Sequence, residues 1–258
     1  MKHVKITAFN CPDAWFQVLK RIWEEGEVYY VEYGSEVGET KKLDVTIEIL
    51  HPEVRPLLDE RAPFTLSYLN FYFLQYMWLG VKEAEETYTY SYRLRKARSC
   101  EQGEAIEVDQ VEEALKRLSE NLFDRQVTLV VERPEDILKE FCGRRHEPPC
   151  LRLIDVEVCR DVDGGLALNL TCYFRSWDAY GGLPANIAAI QLWNETFVGE
   201  LNERLRLKGF KEEVHTGKLI FHSKNCHIYK RNYEFVKELL TPQKVGSRFE
   251  RGFKLKGS

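Results

Sequence analysis

The sequence has no excess of positive charge: 37 Lys and Arg stand against 41 Asp and Glu in 258 residues, a net charge of −4. That excludes a protein held to nucleic acid by bulk charge, while leaving room for a local phosphate site. It also lacks an even, regularly spaced cysteine set. The seven cysteines, at 11, 100, 142, 150, 159, 172 and 226, are odd in number and scattered. With no secretory signal pattern ahead of them, they read as reduced thiols of a cytoplasmic protein. No apolar run reads as a membrane span. The uncharged stretch from Phe64 to Val81 carries Thr65, Ser67, Asn70, Gln75 and three tyrosines, which suits a buried or interface helix. Repeats, low-complexity blocks and obvious linkers are absent as well. His222, Cys226 and His227 sit close together, but without a second ligand pair they make no closed zinc set, so no metal is expected.

What is present points to a folded core. The chain is 44% apolar, 12% aromatic and 30% charged, which excludes intrinsic disorder. Pro12 in a first turn, then Trp15, Val18, Leu19, Ile22 and Trp23 on one face before Gly26, predicts a first helix. Val28 to Tyr33 reads as a strand, and Leu43, Val45, Ile47 and Ile49 alternate with polar residues as a half-buried strand does. An aromatic helix is expected over about 64–80, and Thr87 to Leu94 reads as extended. Asp109 with Glu112 forms a capping pattern ahead of Val111, Leu115, Leu118 and Leu122. Gln126 to Val131 is a strand, followed by a loop with Pro134 and a short helical piece to about Phe141. Cys142 to Pro149 reads as a loop. Leu151–Cys159 and Leu166–Phe174 are strands joined by a turn at Asp163-Gly164-Gly165. Long helical stretches follow over Asn186–Leu207 and Tyr233–Leu240, and the tail from about 241 to 258 reads as loosely ordered. The sum is a single α+β domain spanning 1–258, a mostly antiparallel or mixed sheet with long helices packed on it.

The chemistry concentrates in 144–232. Cys150 follows Pro148-Pro149 at the mouth of a strand, where rigid backbone suits a thiol held at a fixed angle, although a structural cysteine is the commoner reading. Arg144, Arg145 and Arg152 are the nearby cations in sequence. Arg175 and Ser176, in a loop after a strand, suit an anion such as phosphate, or Arg175 simply pairs with Asp178. Gly181 and Gly182 let a backbone approach a ligand, and Asn186 reads as a helix cap.

Pro149-Cys150, Arg175-Ser176-Trp177-Asp178, Gly182-Leu183-Pro184-Ala185-Asn186 and His227-Ile228-Tyr229 resemble, in order and in spacing, the four linked motifs of thymidylate synthase. Tyr173-Phe174-Arg175-Ser176 and Pro184-Ala185-Asn186-Ile187 are most similar to the compact archaeal-type branch. The resemblance implies a thymidylate synthase-like fold and reductive methylation of dUMP to dTMP. It makes Cys150 the nucleophile that adds to C6 of the uracil ring, since a thiolate both attacks and leaves readily. It gives Arg175 and Ser176 the 5′-phosphate, Arg175 a second role in favouring the thiolate, Asn186 the pyrimidine edge, His227 and Tyr229 the ribose 3′-hydroxyl, and Asp178 the pterin ring. Arg125 is the arginine that would reach the phosphate of a dimer partner, which implies an obligate homodimer. Tyr90 resembles the family's active-site tyrosine, and Lys41 or Lys42 would stand for its N-terminal phosphate-binding arginine. The co-substrate implied is 5,10-methylenetetrahydrofolate, or methylenetetrahydromethanopterin.

Three departures are visible. Leu151 follows the cysteine where many members have histidine. Residues 64–81 contain no acid where the family's catalytic glutamate is expected; Asn70 is nearest, with Glu83 and Glu85 beyond. The tail from Phe249 to Ser258 does not match the family's C-terminus. A pyrimidine nucleotide hydroxymethylase and a non-catalytic nucleotide-binding relative are the alternatives.

Overall fold

The computed structural model describes residues 2–33, 36–101, 104–138 and 148–241. The first strand, β1 (His3–Ala8), buries Val4, Ile6 and Ala8 and leaves His3, Lys5 and Thr7 exposed. In α1 (Cys11–Glu25), the Asn10 side chain accepts from the Asp13 backbone N–H at 3.1 Å and Pro12 occupies the first turn. Trp15, Val18, Leu19 and Ile22 are buried on one face, as their spacing predicts. β2 (Glu27–Tyr33) and β3 (Glu36–Ile49) pair antiparallel.

The aromatic segment is helical in two parts. α2 (Leu66–Tyr72) continues into a π-wound turn, Phe73–Trp78, closed by the Leu79 N–H on the Leu74 carbonyl at 2.9 Å. Gly80 ends it at φ +71°, where an added Cβ would lie 2.9 Å from the Arg95 side chain. No described helix is long and apolar enough to cross a membrane.

The stretch expected to be extended at Thr87–Leu94 is instead α3 (Tyr90–Arg95). The Thr89 hydroxyl accepts from the Tyr92 N–H at 3.1 Å, a cap that overrides the strand preference of the aromatic residues. A separate hairpin, β4 (Ala97–Glu101) with β5 (Glu104–Val108), follows, and the sequence reading did not foresee it. Asp109 caps α4 (Gln110–Glu120), accepting from Val111 and Glu112 N–H groups at 3.0 Å. Next come β6 (Thr128–Val130) and a short 3-10 turn, Pro134–Ile137. β7 (Leu151–Arg160) and β8 (Leu166–Phe174) form the expected hairpin, with Gly164 at φ +85°.

β9 (Trp177–Asp178) leads into α5 (Leu183–Leu207), then β10 (Val214–Tyr229) and α6 (Tyr233–Leu240). The start of α5 corrects the capping role expected for Asn186. Gly182 holds the cap position, Pro184 sits in the first turn, and the Asn186 N–H already bonds the Gly182 carbonyl at 3.0 Å. The loop with Cys142, Gly143, Arg144 and Arg145, the end of the helical piece near Phe141, and the tail from 242 lie outside the described residues.

The sheet runs β1-β3-β10-β8-β7-β6, with β2 on β3 and β9 on β10. It is mixed: β3 is parallel to β1 and antiparallel to β10, which is in turn parallel to β8 and β9. The helices α1 and α5 cover one face, and the π-wound turn packs on α5. Between the layers Phe174 and Trp177 stack at 4.0 Å and 4°, with Phe221 at 5.3 Å from Trp177. The α+β class and the mixed sheet follow the sequence expectation.

A buried ion pair joins α3 to the 3-10 turn. Arg93 donates to both carboxylate oxygens of Asp136 at 2.9 and 2.8 Å, with side-chain exposures of 7% and 2%. Asp136→Ala would strand the guanidinium in the core and is expected to lower unfolding free energy by about 3–5 kcal/mol. Urea denaturation of both proteins checks this; a loss below about 1 kcal/mol would contradict it.

Candidate active site

Strand pairing brings the separate sequence motifs together. At the head of the β7–β8 pair the Arg175 N–H bonds the Cys150 carbonyl at 2.9 Å, setting the two residues side by side. The Arg175 guanidinium then folds back, Nε donating to the Pro149 carbonyl at 3.1 Å and Nη2 to the Pro148 carbonyl at 2.6 Å. One step on, β9 pairs with β10 so that Asp178 lies opposite His227. On the other side of β10, His227 faces Lys42 and Tyr229 faces Thr40 of β3. The result is a cavity of about 230 Å³, lined by Val31, Thr40, Lys42, Cys150, Arg175, Ser176, Asp178, Asn225, His227 and Tyr229.

Cys150 differs from the buried cysteines Cys11, Cys172 and Cys226. Burial pushes the Cys11 thiol up to about 12 and drives those of Cys172 and Cys226 higher still, whereas Cys150 is half-buried and opens on the cavity. Two phenols stand within electrostatic range of it. Burial raises the Tyr72 and Tyr90 hydroxyls far above their ordinary value, so both remain neutral O–H groups. Tyr90 also shares a hydrogen bond with the Leu151 backbone, beside the cysteine. Tyr90 does not itself line the cavity.

His227 is buried, its ring edge-on to Tyr229 at 4.6 Å. Its Nδ1 lies 3.2 Å from the Asn225 carbonyl, which fixes the proton on Nδ1. Nε2 is then a bare acceptor, buried with no partner among the described residues. Burial holds the imidazole below its usual range, helped by Lys42 and Arg231 and opposed by the Asn225 bond and Asp178. Asp178 Oδ1 accepts from the Tyr180 and Gly181 N–H groups at 3.0 Å. A Cβ on Gly181 would come within 2.8 Å of Oδ2, so glycine keeps that oxygen uncrowded.

Besides Tyr90, five candidate residues named in the sequence analysis lie outside the cavity lining. Asn186 is buried and does not line the cavity; its Oδ1 accepts from Trp177 Nε1 at 2.8 Å and its Nδ2 donates to the Tyr72 hydroxyl at 2.7 Å. Lys41 points to the helix layer, donating to the Trp23 carbonyl at 3.0 Å with its ammonium 4.4 Å from the Trp23 ring. Alternation along β3 therefore gives the cavity to Lys42 rather than Lys41. Arg125 is exposed in the loop between α4 and β6, beside Asp124 and Gln126, and does not reach the cavity of its own chain. Glu83 and Glu85 are exposed and do not line the cavity either, while Glu86 accepts from the Tyr76 hydroxyl at 2.6 Å. Of the cavity-lining residues, Asp178 is the one with a carboxylate. Sequence reasoning missed Tyr72 and Thr40; the alternation of β3 could have placed Thr40 beside Lys42.

The family model for thymidylate synthase matches residues 76–248. The chain belongs to the thymidylate synthase family. Its relatives include a methanogen protein from Methanosarcina acetivorans, 29% identical over 235 residues, with 91% of this chain and 94% of the relative covered. Another, from Methanothermobacter marburgensis, is 25% identical over 248 residues, covering 92% and 97%. Both are curated under a provisional thymidylate synthase name. The family is one of methyltransferases that use a folate-type co-substrate, and in this member residues of three of the four motifs line one cavity.

The depressed basicity of His227 has a sign that can be measured. The unfolded chain takes up a proton near the ordinary value of about 6.5, the folded chain only at lower pH, so stability is retained above about 6.5 and declines as pH falls below it. The decline levels off once the folded imidazole also protonates. Urea melts from pH 8 to 5 should show a steeper loss for the native protein than for His227→Gln; equal slopes would contradict the assignment.

Proposed function

We propose that this chain is a thymidylate synthase, converting dUMP to dTMP by reductive methylation at C5. The observation that carries the reading is the placement of Cys150 in one cavity with Arg175, Ser176, His227 and Tyr229. In this reading the Cys150 sulfur adds as a thiolate to C6 and makes C5 nucleophilic toward a one-carbon unit. Release of the C5 proton and departure of the carrier's amine leave an exocyclic methylene at C5. A hydride delivered to that methylene by the reduced pterin carrier or another hydride donor expels the sulfur and restores the ring as dTMP. The carrier, a methylene-tetrahydrofolate or a methylene-tetrahydromethanopterin, supplies that one-carbon unit.

The remaining roles follow from the chemistry of the lining. Arg175, Ser176 and Lys42 suit the 5′-phosphate, with the Arg175 fork held in plane by the two proline carbonyls. The His227 Nε2, without a partner among the described residues, suits a hydroxyl donor such as the ribose 3′-hydroxyl, with Tyr229 beside it. Asp178 Oδ2 suits an N–H donor such as a pterin ring. Tyr90 supports the Cys150 segment from behind. Arg125, exposed on its loop, suits the phosphate of a second copy, which makes the working unit a homodimer with shared sites.

Tritium release from dUMP labelled at C5 tests the reaction, run with each carrier. Release is expected from the native protein and none from Cys150→Ala. Measurable dUMP binding with no release from either carrier would overturn methylation and leave a nucleotide-binding relative. Formation of a 5-hydroxymethyl product in place of dTMP would assign a hydroxymethylase.

The two neighbouring lysines give a second test. Lys42→Met is expected to weaken dUMP binding by about tenfold, through loss of a charge-assisted phosphate contact. Lys41→Met, which disturbs the Trp23 contact instead, should leave that affinity within about twofold. Calorimetry on both variants checks the contrast, and the reverse order would return the phosphate role to Lys41.

A further inference from the structure

We infer that Trp177 sets the base selectivity of the site by locking the Asn186 side-chain amide in one orientation. The inference rests on the dUMP reading above and takes it one step further: Asn186 bonds Tyr72, which stands within electrostatic range of Cys150, so its amide is placed to meet the edge of a pyrimidine whose C6 lies at that sulfur. A carboxamide has donor hydrogens on nitrogen and acceptor lone pairs on oxygen, and a half-turn about its last bond exchanges them. Uracil offers N3–H beside the O4 acceptor; cytosine offers the N3 acceptor beside its amino group. An asparagine able to turn over would therefore satisfy either base equally well. Discrimination needs a neighbour that tolerates only one orientation.

Trp177 meets that condition. An indole N–H can only donate, and it lies 2.8 Å from Asn186 Oδ1. Turning the amide over would set its N–H hydrogens against the indole N–H in a buried place, where unpaired donors are costly. The Tyr72 hydroxyl, 2.7 Å from Nδ2, cannot impose the order alone, because a phenol both donates and accepts.

Trp177 is itself held firmly. It is 2% exposed, stacked on Phe174 and packed against Phe221, and its backbone pairs with Cys226. The two protein bonds leave the amide one N–H and one lone pair. With C6 set at Cys150 and the phosphate set at Arg175, the order of that remaining pair selects the base.

Trp177→Phe removes the N–H while keeping an aromatic ring on Phe174. Calorimetric binding of dUMP and dCMP to the native protein, Trp177→Phe and Tyr72→Phe tests the lock. The native protein should prefer dUMP, and Trp177→Phe should lose about tenfold or more of that preference, chiefly by weaker dUMP binding. Tyr72→Phe should keep the preference, since the indole still orders the amide. A Trp177→Phe protein in which both affinities fall in parallel, with their ratio intact, would assign Trp177 a packing role only and overturn the inference. Loss of the preference in Tyr72→Phe would overturn it too, and that arm decides if Trp177→Phe does not fold by circular dichroism. A native protein that binds neither nucleotide would instead overturn the dUMP reading, and this inference with it.

Discussion

The Arg175 guanidinium, drawn onto the carbonyls of Pro148 and Pro149 while the Arg175 N–H holds the Cys150 carbonyl, is the contact on which the rest of the site depends. Proline supplies an acceptor with no competing N–H and a fixed φ, so the two carbonyls form a stiff platform for the arginine fork. The chain entering β7 is thereby tied to the chain leaving β8. The cysteine and the arginine are set by the same three bonds, and neither can shift without the other. β10 completes the enclosure by pairing with β9 on one side and β3 on the other, which adds Asp178, His227, Lys42 and Thr40 to one wall.

Burial sorts the titratable groups of the core into roles. Tyr72 and Tyr90 are kept as neutral hydroxyls, Cys11, Cys172 and Cys226 as protonated thiols, and His227 as a neutral imidazole with a bare Nε2. Of the cavity-lining residues, Arg175 and Lys42 are the cations, although the chain as a whole is acidic. A local field of this kind accommodates a small anion without a basic protein surface.

Much of this was legible in the sequence wherever periodicity and local caps decide structure. The face of α1, the alternation of β3 and the β7–β8 hairpin follow directly from residue spacing. The sheet's inner strand β10 was not legible, because register shifts at Thr216/Leu219 and Ser223/Cys226 break its alternation into pieces too short to read. α3 was hidden because tyrosines favour strands until Thr89 caps the turn. Cys150, Arg175, Ser176, Asp178, His227 and Tyr229 were reached through their motifs, and they share the cavity. The choice between Lys41 and Lys42 depends on strand parity, which a resemblance in sequence does not carry.

The displacement of Asn186 from cap to helix interior has a chemical consequence. An asparagine at a cap lends its side-chain oxygen to the backbone N–H groups of the first turn. Here α5 begins three residues earlier: Gly182 takes the cap, and Pro184, which has no N–H, removes one of the donors a cap would have to satisfy. The backbone at Asn186 is already helical, so its amide is released from local duty and bonds Trp177 and Tyr72 instead. Those partners come from β9 and from the end of α2, so the amide's orientation is a tertiary property. A buried polar network of this kind adds less to stability than an apolar core of the same volume would, but it admits one arrangement of donors and acceptors. Such a constraint suits a residue that distinguishes two bases differing in the order of one donor and one acceptor.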